Sequence, residues 1–481
     1  MTKIIKVENI NEISKIDEAS EALKRGELVA FPTETVYGIG GNAYLKESAN
    51  NIFKVKGRPS DNPLIVHIAD VENAKEIGKN IPEVFYKLAE KFWPGPLTMI
   101  VEKSDKIPDS VSANLKTVGI RIPANPYSRY LIEKAGCPVA APSANKSGKV
   151  SATKARYVYD DFKDEIPYII DGGDCEVGIE STVINLTTKP YMVLRPGKIT
   201  IDELREVDSD FVLHPSLKNV EEVVNPASPG MKYKHYSPDC PVVLVMGSLK
   251  SAEDYILKNA DSDDAIFAFH EQGRLLKRED TYYLGSVNDL SFCMNKIFNY
   301  LRDADNKKAK KIYLTGVKEE GIGLALMNRL KKTSGENKVK LREILFICTG
   351  NTCRSPMAEY ILKSYNIENM YVKSRGLYVC CASGMAFSSE AILDKHDIPY
   401  DKFTSCQVSE DDIINADEIY TMTNKQRESL ISFFPQFKDK INTLIEGKDV
   451  ADPYMQPEYV YEETFREIND AIFKRFYEKN I

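Results

Sequence analysis

The sequence predicts an α/β protein of several domains that ends in a doubly wound parallel sheet. Three observations carry this reading. Strand-like apolar runs alternate with helix-periodic segments along most of the chain. The last third holds three buried-strand patterns, Ile344-Leu-Phe-Ile, Val372-Lys-Ser-Arg-Gly-Leu and Glu418-Ile-Tyr-Thr-Met-Thr, separated by helical segments at about 384–397 and 424–434. The 481 residues suffice for about three domains of ~100–200 residues each. The expected order is an α/β sheet domain at 1–206, a Pro/Gly-interrupted linker at 207–238, a small open α/β (Rossmann-like) domain at 239–336 and the doubly wound domain at 341–481.

Composition bounds the function class. Charged residues at 28% and hydrophobic ones at 43% are ordinary for a soluble globular protein, and a net charge of −7 argues against tight non-specific nucleic-acid binding. No apolar run reaches the ~18–20 residues of a membrane span. The opening Met1-Thr-Lys-Ile-Ile-Lys lacks a signal-peptide pattern, so no membrane association and a cytoplasmic location are expected. Nine irregularly spaced cysteines read as reduced thiols, and without Cys-x2-Cys or His-x3-His units no metal held by protein side chains is expected.

Residues 344–359, Ile-Leu-Phe-Ile-Cys-Thr-Gly-Asn-Thr-Cys-Arg-Ser-Pro-Met-Ala-Glu, read as strand, phosphate loop and helix. Between Cys348 and Arg354 lie Thr349, Gly350, Asn351, Thr352 and Cys353, whose N–H groups can converge on one anion in front of a helix N-terminus. These amides and the Arg354 guanidinium favour a thiolate, which makes Cys348 a nucleophile. Gly350 and Asn351 tolerate left-handed backbone, and Ser355 can donate to the thiolate and cap the helix. Asp452, fixed by the following proline, is a candidate general acid.

This set resembles the low-molecular-weight protein phosphatase family over roughly residues 341–481. The resemblance implies in-line attack by Cys348, stabilisation of the equatorial oxygens by Arg354, proton donation by Asp452 and hydrolysis of a phosphocysteine by water, with no cofactor. Arsenate reductases of the same fold need relay cysteines, and Cys380, Cys381 and Cys406 lack their paired spacing. Tyrosine phosphatases of the family generally carry a bulky apolar residue where this chain has Thr352, whereas the bacterial protein-arginine phosphatases carry threonine. Phosphoarginine in phosphorylated proteins is therefore the expected substrate, and phosphotyrosine the alternative, because Tyr454 followed by Met455-Gln-Pro departs from the arginine enzymes. Cys353 is expected to form a reversible disulfide with Cys348 on oxidation.

The N-terminal part carries a second constellation. Glu27-Leu-Val-Ala-Phe-Pro-Thr-Glu-Thr-Val-Tyr-Gly-Ile-Gly-Gly runs from a strand into a hydroxyl- and glycine-rich loop with Thr33 and Thr35. Ile52-Phe-Lys-Val-Lys-Gly-Arg places Lys54, Lys56 and Arg58 at period-two spacing, on one face if the segment is extended, where three cations suit a polyanion. His67 follows the strand pattern Leu64-Ile-Val, Ser143 and Asn145 follow an apolar strand, and Ser181 and Arg195 lie in Glu180-Ser-Thr-Val and Leu194-Arg-Pro-Gly.

In this order the motifs resemble the YrdC-type threonylcarbamoyl-AMP synthase family in its two-domain form. The resemblance implies that L-threonine, bicarbonate and ATP give threonylcarbamoyl-AMP and pyrophosphate, the first step toward threonylcarbamoyladenosine in tRNA, with partner proteins completing the transfer. It implies that Lys56, Arg58 and Arg195, with Lys54 beside them, bind phosphates or carboxylate. Thr33, Thr35, Ser181 and His67 would hold threonine and its carbamate, and Ser143 and Asn145 the nucleotide. Mg2+ would arrive on the ATP phosphates. Long family members carry a segment like Ser228-Pro-Gly-Met-Lys-Tyr-Lys-His-Tyr across the nucleotide site, which implies that Lys232, Lys234, His235 and Tyr236 close over ATP. The alternative for residues 1–335 is a nucleotide- or RNA-binding regulatory module without turnover.

Overall fold

The computed structural model describes residues 1–217 and 237–478, so the expected lid residues Lys232, Lys234, His235 and Tyr236 lie outside the described residues. The chain packs as two compact units, Met1–Leu244 with Asn259–Lys338, and Val245–Lys258 with Val339–Ile481. Most of the small domain expected at 239–336 falls within the first unit.

In chain order the first unit holds β1 (Lys3–Lys6), α1 (Asp17–Lys24), β2 (Val29–Phe31), β3 (Gly38–Asn42), α2 (Lys46–Lys56), β4 (Ile65–His67), β5 (Gly78–Lys79), β6 (Leu97–Lys103), β7 (Thr117–Arg121), β8 (Val139–Ala141), β9 (Tyr168–Asp171), β10 (Thr182–Asn185), β11 (Met192–Arg195) and β12 (Val212–Leu213). The strands form one mixed sheet, ordered β1-β9-β2-β3-β8-β4-β7-β6-β10-β11-β12, with β5 paired to β6. β2 and β8 are buried along their whole length, as their unbroken apolar sequences require. The functional loops leave from strand ends: Thr33 and Thr35 follow β2, His67 closes β4, Ser143 follows β8, Ser181 precedes β10 and Arg195 closes β11.

Two expectations need correction here. The segment around Lys54 and Lys56 is not extended but forms the last turn of α2, which buries Ala49, Ile52, Phe53 and Lys56 on one helical face and leaves Lys54 exposed. The glycines of the expected hydroxyl- and glycine-rich loop lie in β3. A Cβ at Gly40 would come within 2.5 Å of Val139 and 2.7 Å of Phe31, so close packing explains that glycine.

The chain continues through β13 (Val242–Met246), α3 (Leu249–Asn259), β14 (Ala265–Ala268), β15 (Thr281–Tyr283), α4 (Ser291–Asn306), β16 (Ile312–Thr315) and α5 (Ile322–Ser334). Strands β15-β14-β16-β13 are neighbours in one sheet, with β14 parallel to both β15 and β16. Within the first unit, α4 and α5 lock onto the large sheet domain. The half-buried pair of Arg302 with Asp161 spans 2.7 Å, and Asn295 Nδ2 donates to the carbonyls of Cys175 and Glu176, each at 2.8 Å. Gly178, at φ +83°, lies so close to α4 that a Cβ would stand 2.6 Å from backbone atoms of Met294 and Asn295.

The second unit contains β17 (Arg342–Cys348), α6 (Arg354–Ser364), β18 (Met370–Gly376), β19 (Glu418–Thr421) and β20 (Ile441–Thr443). The four strands are all parallel in the order β18-β17-β19-β20. Alternate side chains of β17 feed two cores, Phe346 with Ile361 and Phe465 on one side, Leu345 and Ile347 with Leu430 on the other. This is the expected doubly wound layout, with Cys348 at the carboxyl end of a central strand. α3 joins this unit because Glu343 of β17 accepts from Ser248 N–H at 2.5 Å and Ser251 Oγ at 2.6 Å, and Asp254 accepts from the Tyr371 hydroxyl at 3.0 Å.

The contact at Gly178 predicts that Gly178→Ala costs about 1–3 kcal/mol, because a left-handed residue gains a Cβ that has only backbone to meet. Calorimetry should show the first unit's transition lowered and the second unit's unmoved. An unchanged melting profile would refute the close approach.

Candidate active sites

In the first unit, Thr33, Thr35, Arg58, His67, Ser143, Asn145, Ser181 and Arg195 come together around one pocket. Thr33 Oγ1 accepts from the N–H groups of Thr35 and Val36, both at 3.2 Å, and lies 2.8 Å from Thr35 Oγ1, so the turn after β2 is held by its own hydroxyls. Asn145 Nδ2 donates to the carbonyls of Lys146 and Lys149 at 2.8 Å each, while Ser143 Oγ donates to Asn145 Oδ1 at 2.6 Å. Both loops are thus pre-formed.

The cations divide into three groups. Arg58 lines the pocket and donates from Nη2 to the Pro63 carbonyl at 3.1 Å. Arg195 lies against Ser181, with Nε donating to its carbonyl and Nη2 to its Oγ, each at 3.0 Å. Lys56 and Lys54 are not among the lining residues. The Lys56 ammonium donates to the carbonyls of Ser143, at 2.6 Å, and of Asn145, and ties α2 to the loop that follows β8. Burial pushes this amine well below the usual lysine value, with Arg58 adding to the effect.

His67 is buried at the pocket wall beside Phe31, with ring centroids 6.1 Å apart. Burial first, and then the Arg121 charge, lowers its pKa to about 3, so the imidazole is neutral at ordinary pH. Its Nδ1 has no hydrogen-bond partner among the described residues. Further charged and hydroxyl-bearing lining residues escaped sequence reasoning, among them Arg121, Lys149, Ser151 and Glu180. Arg121 pairs at 2.6 Å with Glu34, the residue between the two threonines, and both are buried. Only the position of Glu34 inside the Pro-Thr-Glu-Thr motif hinted that a buried cation had to face it.

The second unit builds a different site on the loop between β17 and α6. Asn351 takes a left-handed conformation, φ +54°, which aims its N–H at Cys348 Sγ over 3.2 Å. Ser355 Oγ donates to the same sulfur at 3.0 Å. The helix begins at Arg354 with Cys353 as its N-cap, so Ser355 stands inside the first turn and serves the sulfur rather than capping the helix. The Asn351 side chain donates to Ser355 Oγ at 3.0 Å and Ser374 Oγ at 2.9 Å and accepts from Cys406 N–H at 2.9 Å. Ser374 in turn donates to Glu359 at 2.7 Å. Gln426 holds the loop's other side by donating to Thr349 Oγ1 at 3.0 Å.

Cys348 and Arg354 are buried, whereas the Asp452 side chain is 57% exposed and pairs with Arg354 Nη2 at 2.8 Å. The candidate general acid thus faces solvent and is held by the loop arginine. Cys353, expected to face Cys348, has its Sγ 3.7 Å from the Tyr461 hydroxyl and 3.6 Å from Thr352 Oγ1. Ser374, Glu359, Gln426 and Tyr461 were not legible as site residues, since each lies on a separate element with no motif of its own.

Comparison with known proteins agrees with both geometries. Residues 21–197 match the family model described as Telomere recombination (Sua5, YciO and YrdC), residues 199–335 that of the threonylcarbamoyl-AMP synthase C-terminal domain, and residues 343–479 that of the low molecular weight phosphotyrosine protein phosphatases. Threonylcarbamoyl-AMP synthase of Pyrococcus abyssi is 41% identical over 350 residues, covering 71% of this chain and 100% of that protein. The Bacillus subtilis synthase is 38% identical over 329 residues, 68% of this chain and 94% of that one. A crystal structure of P. abyssi Sua5 complexed with L-threonine superposes with a TM-score of 0.67 at 40% identity, over 71% of this chain and 100% of that one. Cover of this extent, on motifs that converge on one pocket, means that the chain belongs to the threonylcarbamoyl-AMP synthase family, fused here to a low-molecular-weight phosphatase domain.

Proposed function

We propose that residues 1–335 convert L-threonine, bicarbonate and ATP into threonylcarbamoyl-AMP and pyrophosphate, and that the phosphatase domain hydrolyses protein phosphoarginine. For the synthase, the carrying observation is a pocket that combines arginines with hydroxyls and a neutral histidine. The threonine amine attacks the carbon of bicarbonate and water leaves to give the carbamate, and a carbamate oxygen then attacks the α-phosphorus while the bond to pyrophosphate breaks. Such chemistry asks the protein for position and charge rather than a covalent nucleophile. Arg58 and Arg195 face the anions, and the neutral His67 ring forms part of the wall against which threonine lies. Glu180 of the pocket lining, and Glu34 between Thr33 and Thr35, are already bound to arginines, so Mg2+ fits best on the ATP phosphates. The tRNA-modification proteins that consume the product are expected partners.

For the phosphatase, the carrying observation is that the Asp452 carboxylate already partners a guanidinium. Cys348 attacks phosphorus, the P–N bond breaks as the departing guanidine nitrogen takes a proton delivered through Asp452, and water cleaves the phosphocysteine to release phosphate. Thr352, half-buried at the lip of the loop, leaves room for the planar guanidinium. Phosphotyrosine is the second reading. It is favoured by exposed Tyr378, Phe387 and Tyr454, which adjoin the loop or the acid through Tyr378 N–H to Thr349 O, Ala386 N–H to Thr352 O and Tyr454 N–H to Asp452.

Two experiments test these assignments. Purified protein with ATP, Mg2+ and bicarbonate should release pyrophosphate only when L-threonine is added; absent release would favour the binding-module alternative, and threonine-independent release would overturn the threonine chemistry. The kcat/KM ratio for phosphoarginine over phosphotyrosine should exceed one and fall by about ten-fold in Thr352→Ile. An unaltered ratio sinks the role given to Thr352.

A further inference from the structure

Arg329, on α5, is fully buried, and each of its three guanidinium nitrogens donates to an acceptor. Nε donates to Glu180 Oε2 at 3.2 Å, Nη2 to the Glu180 carbonyl at 3.3 Å, and Nη1 to the carbonyls of Pro196 and, at 3.4 Å, Ala325. A buried ion pair of this kind seldom contributes more stability than apolar side chains of the same size. What it can do, and an apolar side chain cannot, is fix several acceptors at set spacings.

Those acceptors flank the pocket. Glu180 immediately precedes Ser181, and Pro196 immediately follows Arg195, so one guanidinium spans the outer neighbours of two pocket residues that are themselves bonded at 3.0 Å. Ser151, which also lines the pocket, donates to the second Glu180 oxygen at 2.6 Å. The two backbones are pressed together beside this bracket, since a Cβ on Gly197 would stand 2.4 Å from Thr182 N. Burial opposes the charge on Glu180, yet Arg329 and Arg195 hold its carboxyl below the ordinary carboxylate value, so the pair stays ionised.

We propose that Arg329 is a positioning residue of the synthase site: a side chain from the C-terminal domain that sets the spacing of Ser181 and Arg195 and so the fit for L-threonine. Resting on the synthase reading above, this gives that domain a part in substrate binding without contact with substrate.

The test uses the full chain in the threonine-dependent pyrophosphate assay, with Arg329→Met, Arg329→Lys and Glu180→Gln. Arg329→Met should melt within a few degrees of the parent and raise KM for L-threonine at least about ten-fold with most of kcat retained. Arg329→Lys, which keeps the charge and can satisfy fewer acceptors, should recover part of that rise. Simple loss of folded protein lowers kcat and leaves KM alone, so a KM unchanged in folded Arg329→Met overturns the proposal. If Arg329→Met does not fold, Glu180→Gln takes its place, and an unchanged KM there overturns it equally. A parent without threonine-dependent release overturns the synthase reading itself, which separates the two failures.

Discussion

A charge removed from water has to be paired, and both units are organised around that constraint. In the first unit Arg121 meets Glu34, Arg329 meets Glu180, Arg302 meets Asp161, and Lys56 meets two carbonyls. Each pair joins segments far apart in the chain, and each touches a loop that lines the pocket. The charges therefore serve as fasteners that hold the hydroxyls of Thr33, Thr35, Ser143 and Ser181 around one space. Because the fasteners are satisfied before any ligand arrives, binding need not reorganise the loops they hold.

The second unit meets the same demand within one short loop. Asn351 adopts a backbone conformation that costs a non-glycine residue energy, and its side chain repays this through bonds to Ser355, Ser374 and Cys406. The result is an N–H and a hydroxyl aimed at one buried sulfur. Glu359 and Gln426 extend the support from α6 and from the helix Asn424–Phe433. The two sites solve different problems. One spreads its groups over many strand ends to hold several small substrates, and the other concentrates them on one atom that forms a bond.

How legible each site is from sequence follows from this contrast. The phosphatase loop is contiguous, so strand, loop, helix and doubly wound sheet could all be read from one stretch and its neighbours. The pocket of the first unit could be read only through motifs, and its fasteners not at all. Arg329 stands in the helical run Gly323-Leu-Ala-Leu-Met-Asn-Arg-Leu, where an arginine among apolar residues looks like a solvated position until its partner 149 residues away is known. The error at Lys56 has a different origin. Ile52-Phe-Lys-Val-Lys alternates over too few residues to separate period two from period 3.6, and the longer spacing Ala49, Ile52, Phe53, Lys56 marks the buried face of a helix.

The pairing rule also explains why Asp452 sits where it does. Arg354 is buried beside a loop that aims the Asn351 N–H at Cys348, a concentration of positive charge that needs a counter-charge. Asp452 supplies it from the solvent side. In the proposed reaction a phosphoryl group brings its own negative oxygens to Arg354 and so displaces the carboxylate from its resting partner. The released carboxylate is then beside the leaving group and open to its cation or its proton. The exposure of Asp452 is what permits this exchange: a carboxylate sealed in with Arg354 would compete with the substrate, whereas one held at the rim can yield to it.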